Sequence, residues 1–283
     1  MRRALIAIVV GGTLLAACAQ ETTPSSGGST SGAPDCNPST MPVTAPGQLT
    51  VATDSPAYSP WFRHNDPSNG QGYESAVTYA VAQKMGFAPQ QVHWTVEPFN
   101  KSYAPGPKRF DFAIEQISIT PEREQAVSFS EGYYDDQQAL IGVKGTPIAG
   151  ATTVGDLKSY KFAAEQGTTS LQFIAQVIQP TQQPAVFDTT RDAISALEAG
   201  QVDGLVLDLP TAAYTQYSVS NGVLIGKFAP TNPPEQFGLL FQKGSSLVTC
   251  ANKAIDSLKA DGTLEQLQQR WLKNYADVPD ITG

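Results

Sequence analysis

Two short segments place polar groups where a small charged molecule could be held. Asp208 closes the apolar run Asp203–Leu207 (DGLVL), which reads as a buried strand. In open α/β sheets, ligands sit outside the carboxyl ends of strands, so a carboxylate there could face a cation. A turn or cap aspartate ahead of Leu209-Pro210 is the other reading. Thr168 and Thr169 follow Gly167 at the start of a predicted helix. Free N–H groups and the helix dipole favour an anion at such a place, while the hydroxyls also suit simple N-capping. Metal chemistry lacks comparable support. His64 and His93 are far apart, and no CxxC or Cys/His cluster is present, so neither a metal nor a cofactor is expected. No nucleophile–base pair can be read from the chain.

The elements that would carry these residues alternate. Gln48–Ala52 reads as a strand, Glu74–Met85 as a helix with Val77, Ala80, Val81 and Met85 on one face, Val92–Val96 as a strand, and Phe110–Ile114 as another. The same grammar then restarts: strand Lys161–Ala164, helix Thr168–Val177, strand Ala185–Phe187, helix Asp192–Ala199 stopped by Gly200, and strand Asp203–Leu207. Two α/β halves in series predict two lobes. The extended stretch Gln138–Val143 would carry the chain across, Phe237–Phe241 would bring it back, and Leu247–Tyr275 is helical around a Gly-centred turn. Two lobes joined by two crossing strands form a hinged clamp. The stretch from Phe99 to Arg109, with its Pro and Gly residues, reads as a loop.

The N-terminus has its own logic. Arg2 and Arg3 precede the uncharged, mostly apolar run Ala4–Ala17, the layout of a secretory signal at 1–17. The run is shorter than the ~20 apolar residues of a bilayer span. It ends Leu15-Ala16-Ala17-Cys18, which resembles the bacterial lipoprotein box and implies that Cys18 becomes a lipidated N-terminus. Residues 18–46, with their Ser, Thr, Gly and Pro, read as a flexible tether. Of three cysteines, Cys36 and Cys250 remain, and export favours a disulfide between them over two free thiols. The net charge of −8 disfavours nucleic acid, whose binders carry basic patches.

Taken in order, the segments VATDSPAYSPWF, GQGYESAVTYAVAQKMGF, ISITPERE, VSFSEGYY, EQGTTS, ALEAGQVDGLVLDLPTAAY, FGLLFQKGSSL and LKADGTLEQLQQRWL resemble the extracellular solute-binding proteins of family 3, the polar amino-acid receptors. The resemblance covers nearly all of Gln48–Leu272. It implies a two-lobed, type II periplasmic-binding-protein-like clamp, with lobe 1 at 47–141 plus 238–283 and lobe 2 at 142–237. It also implies a monomer anchored outside the plasma membrane, or in a periplasm, that binds a free amino acid and passes it to an ABC permease.

The resemblance carries roles residue by residue. Arg123 matches the arginine that grips the ligand α-carboxylate, a task for which guanidinium offers two parallel hydrogen bonds; a surface ion pair with Glu122 or Glu124 is the bland reading. Ser118 matches the small hydroxyl residue beside it, Thr168 and Thr169 the second-lobe turn that meets the same carboxylate, and Asp208 the acid that takes the α-ammonium. Tyr58 with Trp61 or Phe62 resembles the aromatics around the ligand's carbon chain, the one-residue difference in spacing leaving that choice open. Asp54 matches a pocket carboxylate, and Glu165 falls where the ligand side chain often reaches. Gln116 replaces a small residue and could crowd or hydrogen-bond the ligand, and Glu115 adjoins it. Three acids near one pocket would favour a cationic side chain, with arginine, lysine or ornithine ahead of glutamine. Two rivals remain. One is a dehydratase on this fold acting on prephenate- or arogenate-like acids, with Glu165 or Glu235 as proton donor. The other is a sensing protein that serves a signalling partner.

Overall fold

The computed structural model describes residues 36–272, 275 and 277–283. The signal at 1–17, Cys18 and residues 18–35 of the tether lie outside the described residues.

The chain first builds a parallel sheet. Strand β1 (Leu49–Thr53) leads to helix α1 (Tyr73–Lys84), β2 (Val92–Val96), the helical turn α2 (Phe99–Ser102), β3 (Phe112–Ala113), α3 (Pro121–Ala126) and the ten-residue β4 (Val127–Asp136). Alternation sorts the side chains by face: Leu49 and Val51 of β1 pack with α1, whereas Ala52 packs with Phe99 and Phe110 on the other face. Gly72 starts α1 because nothing larger fits. With φ of 99°, a Cβ there would lie 2.3 Å from the Trp61 carbonyl oxygen. Thr120 caps α3 by accepting from the Arg123 N–H at 3.2 Å, with Pro121 at the first helical position.

The second sheet begins immediately. It comprises β5 (Gln138–Val143), β6 (Phe162–Glu165), α4 (Thr169–Phe173) continued by a π-helical turn (Ile174–Ile178), β7 (Ala185–Phe187), α5 (Thr190–Glu198), β8 (Gly204–Asp208), α6 (Leu209–Thr215) and β9 (Gly222–Phe228). Its strands carry apolar side chains on both faces: Ala163, Leu205 and Leu207 on one, Phe162, Ala164 and Val206 on the other. Strand β10 (Glu235–Gln242) then returns to the first sheet, followed by α7 (Leu247–Ala260) and α8 (Thr263–Trp271), and β11 (Asp280–Ile281) ends the chain against β9. The sheet orders are β2-β1-β3-β10-β4 and β11-β9-β5-β8-β6-β7. The Cys36–Cys250 disulfide forms, with S–S 2.05 Å, and ties the start of the described chain to α7.

Two lobes and two crossings are present, but the crossings lie elsewhere than expected. Gln138–Val143 pairs along its length with β8 and β9, so the chain leaves the first sheet at Gln137 rather than after residue 141. Phe237–Phe241 sits inside the first sheet against β4, which puts the return crossing at residues 229–234. The tail strand Asp280–Ile281 belongs to the second sheet and not to lobe 1. The apolar character of these segments reflects burial within a sheet, not passage between sheets. The predicted loop from Phe99 to Arg109 also needs correction, because its first four residues form the α2 turn, closed by Ser102 Oγ donating to the Phe99 carbonyl at 2.7 Å.

Candidate ligand-binding site

The carboxyl ends of the parallel strands of both sheets open onto one cleft. Asp54 follows β1, Phe99 follows β2, and Glu115 lies two residues beyond β3; Glu165 ends β6, Thr190 follows β7 and Asp208 ends β8. All six line the cleft, together with Tyr58, Phe62, Gln116, Ser118, Arg123, Thr168, Thr169, Ser170 and Thr211. The strand-end rule therefore brings four carboxylates together from positions spread over 155 residues of chain.

Arg123 is the buried cation of this cleft, 7% exposed. Nη1 donates to the Ser118 carbonyl at 2.7 Å, and Nη2 reaches the other lobe to donate to the Gly167 carbonyl at 3.0 Å. Its guanidinium carbon lies 5.3 Å from the centre of the Phe99 ring and 4.9 Å from that of Tyr103, a cation–π contact on each. Among the described residues no carboxylate is in ion-pair range of Arg123, and neither Glu122 nor Glu124 engages it. Burial lowers its pKa. A desolvated guanidinium without a counter-charge is costly, and a ligand carboxylate would supply one.

Two hydroxyls meet beside it, Ser118 Oγ and Thr169 Oγ1, 3.2 Å apart across the cleft. The Thr168 hydroxyl is used locally: it accepts from the Leu171 N–H at 3.1 Å and donates to the Glu165 carbonyl at 2.8 Å. Capping is thus what its side chain does, while its position keeps it in the cleft wall.

The acids have different surroundings. Glu165 Oε2 accepts from Thr190 N at 2.7 Å and Thr190 Oγ1 at 2.8 Å, yet burial still raises its pKa. Glu115 is 7% exposed, and its Oε2 has no hydrogen-bond partner. Burial raises its pKa well above the carboxylate range, and the charges of Asp54, Glu74 and Glu165 push the same way. Asp54 Oδ1 accepts from Ser55 N at 2.6 Å. Asp208 stands at the N-cap position of α6 but caps nothing; its Oδ1 accepts from Gln138 Nε2 at 3.1 Å.

The aromatic pair is equally buried but differently placed. Phe62 lines the cleft. Trp61 lies in the core against Tyr73, Tyr134 and Phe237, with ring centres 5.4 to 6.0 Å away, and its Nε1 donates to Thr211 Oγ1 of the second lobe at 2.8 Å. Tyr58 lines the cleft beside Phe62, and burial raises the pKa of its phenol. Gln116, held at φ 49°, lines the cleft with its amide engaged by Glu74. Its N–H donates to Glu74 Oε1 at 2.7 Å, and its Nε2 donates to Glu74 Oε2.

A family model for bacterial extracellular solute-binding proteins, family 3, matches residues 49–274. The chain belongs to that family. Among solute-binding relatives, the ABC transporter arginine-binding protein 1 of Escherichia coli (strain K12) is 29% identical over 169 residues, covering 58% of this chain and 67% of that one. An ancestral arginine-binding protein is similar in structure, both bound to arginine (28% identity, TM-score 0.67, covering 79% of this chain and 97% of that one) and bound to glutamine (26%, TM-score 0.68, 80% and 98%). The ancestral amino acid-binding protein AncCDT-1, a precursor of cyclohexadienyl dehydratase, is 25% identical with TM-score 0.65, covering 80% and 95%. These relatives are binding proteins, and the family is extracellular. Among the described residues, no helix is long and apolar enough to cross a membrane.

Phe99, Tyr103, Thr190, Ser170 and Thr211 escaped the reading of this solute-binding sequence. For Phe99 and Thr190 a signal existed, since each opens the helix that follows a parallel strand. Tyr103 enters only because α2 folds where a loop was expected.

Proposed function

We propose that the protein is an extracytoplasmic receptor that closes on one free amino acid with a cationic side chain and delivers it to an ABC importer. The lipid anchor at Cys18, a monomeric state and the absence of catalysis belong to this proposal. One observation carries it: a single buried guanidinium lacking a counter-charge shares a cleft with four carboxylates. A zwitterionic amino acid offers a carboxylate to Arg123 and an ammonium to Asp208. The remaining acids, Asp54, Glu115 and Glu165, then face the ligand side chain and favour a guanidinium or ammonium. In this reading Tyr58 and Phe62 flank the aliphatic chain, and Ser118, Thr168 and Thr169 stand around the α-carboxylate. Arginine is named for several relatives, among them the arginine-binding protein 1 of Escherichia coli, and glutamine for others.

The test is titration calorimetry of the purified protein with arginine, lysine, ornithine, glutamine and citrulline. Citrulline keeps the shape of arginine and lacks its charge. We expect arginine to bind at least ~30-fold tighter than citrulline, since a buried cation–carboxylate pair contributes on the order of 2 kcal/mol or more. Equal binding of the two would refute the cationic assignment and leave the receptor. A second reading rests on the likeness to AncCDT-1: a dehydratase would turn over prephenate- or arogenate-like acids. Turnover of either, with silence toward all five amino acids, would replace the receptor reading.

A further inference from the structure

The hinge holds more negative charge than one ammonium site needs. Asp136 is the last residue of β4 and Glu235 the first of β10, and the two are register partners. Gln138 is the first residue of β5 and Asp208 the last of β8, and they are also register partners. The two crossings thus bring three carboxyl groups around one amide. Gln138 Nε2 lies 3.1 Å from Asp208 Oδ1, 3.3 Å from Glu235 Oε2 and 3.4 Å from Asp136 Oδ2. Its carbonyl oxygen accepts from Ser170 Oγ at 2.7 Å, which fixes the amide's orientation.

An amide has two N–H protons, so it cannot serve three carboxylates well. The shortfall is visible. Asp136 is 2% exposed, and its Oδ1 has no partner; neither has Glu235 Oε1. Asp208 lines the cleft, and the Gln138 amide nitrogen that lies 3.1 Å from its Oδ1 lies 3.4 Å from Asp136 Oδ2, so the two carboxyls meet at one donor.

We infer that Asp136 is a positioning residue of the ammonium seat: behind Asp208, it completes a buried carboxyl pair that joins the ligand's α-ammonium to both strands of the hinge. This rests on the receptor reading, in which Asp208 takes the ammonium. Before capture, the pair holds one proton, donated from Asp136 to the Asp208 carboxylate. When the ammonium docks on Asp208 it brings a positive charge and N–H donors of its own, and the Asp136 proton leaves for solvent. Charge balances, with one cation in and one proton out.

The surroundings support this exchange. Burial raises Asp136 well above the carboxylate range, and the charges of Asp208 and Glu235 add to it, against one backbone hydrogen bond from Gln137. Asp208 is raised by burial and by Glu235, opposed by the bond from Gln138 and the charge of Arg123. The other groups whose charges interact with the pair are Glu74, a further acid, and the phenols of Tyr133 and Tyr134. Arg123 is the opposing cation, and Glu74, lifted to about 7 by burial, titrates in the same range, so the Asp136→Asn variant is what separates its proton from that of the pair. With both carboxyls shifted up, capture should weaken as pH falls through their range, by up to about tenfold per pH unit for one linked proton.

The experiment is calorimetric titration of the wild-type protein with L-arginine at about pH 6.5 in two buffers of very different ionisation enthalpy. We expect release of roughly half to one proton per arginine, read from the difference in heats. In Asp136→Asn, which keeps the shape and removes the titrating group, we expect the release to fall below half of the wild-type value and the Kd to flatten with pH. Equal heats in both buffers for the wild-type protein overturn the inference, and that measurement needs no variant to fold. Undiminished release in Asp136→Asn also overturns it. Failure of arginine and every other amino acid to bind at any pH would instead overturn the receptor reading on which it stands.

Discussion

Arg123 Nη2 and the Gly167 carbonyl oxygen are 3.0 Å apart, and they belong to different lobes. The same side chain donates to Ser118 in its own lobe at 2.7 Å, so one guanidinium touches both walls of the cleft. Lysine would retain the charge but lose the planar fork and the contacts with Phe99 and Tyr103. We expect Arg123→Lys to weaken binding of every amino acid, and not one alone, by ~30-fold or more. Calorimetry on the five-ligand panel tests this. A Kd within about twofold of wild type would remove Arg123 from the carboxylate role.

Gly167 itself limits how closely the lobes meet. It has φ of 76°, and a Cβ built on it would lie 2.1 Å from Tyr103 Oη and 2.8 Å from Asn100 Oδ1, both in or next to α2 of the other lobe. Gly167→Ala should therefore oppose closure without touching the ligand, at a cost on the order of 1–3 kcal/mol from overpacking and positive φ together. The expected signature is a roughly 10-fold or greater rise in Kd, mostly in the dissociation rate. Tyr103→Phe removes the nearest clashing atom and should restore part of the affinity in the double variant. No recovery would place the effect in backbone strain alone.

How far the site was legible follows from the kind of signal each residue gave. Asp208, Thr168 and Thr169 could be found because they match the family's site residues, with the strand that ends at Asp208 and the Gly-Thr-Thr turn that opens a helix in support. The strands Val92–Val96, Gln138–Val143 and Ala185–Phe187 have the bounds that their pattern predicted. The hinge was misplaced for a physical reason. An apolar run says that a segment is buried, and Gln138–Val143 is as buried inside the second sheet as it would be between lobes. The polar residues that do mark the crossings, Asp136, Gln138 and Glu235, carry no periodic signal. Their proximity comes from register between strands distant in sequence. The role of Gln116 was equally hidden, because its partner Glu74 lies 42 residues earlier.

Glu115 lets side-chain selectivity be separated from capture. It is buried in the cleft wall with one oxygen unpartnered, and Asp54 and Glu165 stand near enough to raise its pKa. Glu115→Gln removes the acid and preserves its volume. We expect the arginine-to-citrulline affinity ratio to fall by about tenfold, the effect of losing one charge-assisted contact of on the order of 1.4 kcal/mol, while glutamine binding changes by less than about threefold. An unchanged ratio would assign the cation to Asp54 and Glu165 alone.

The buried acids also set how stability depends on pH. Glu74 is fully buried, and burial lifts its pKa from 4.5 to about 7 despite hydrogen bonds from Tyr133 and Gln116. Glu115 and Asp136 are raised in the same direction. A carboxyl with a higher pKa folded than unfolded binds its proton more tightly in the native state. Its stabilisation is fully present below the unfolded value and is lost as pH rises through the folded one. The ligand-free protein should thus melt at a higher temperature near pH 5 than near pH 8, the reverse of a protein whose carboxylates are paired with cations. Arginine should offset that loss, because its cations favour the ionised acids beside them, so the ligand-induced rise in Tm should grow with pH. Scanning calorimetry across this range, with and without arginine, decides the matter. A ligand-free Tm that climbs steadily toward pH 8 would mean that these acids are ionised and compensated in the folded protein.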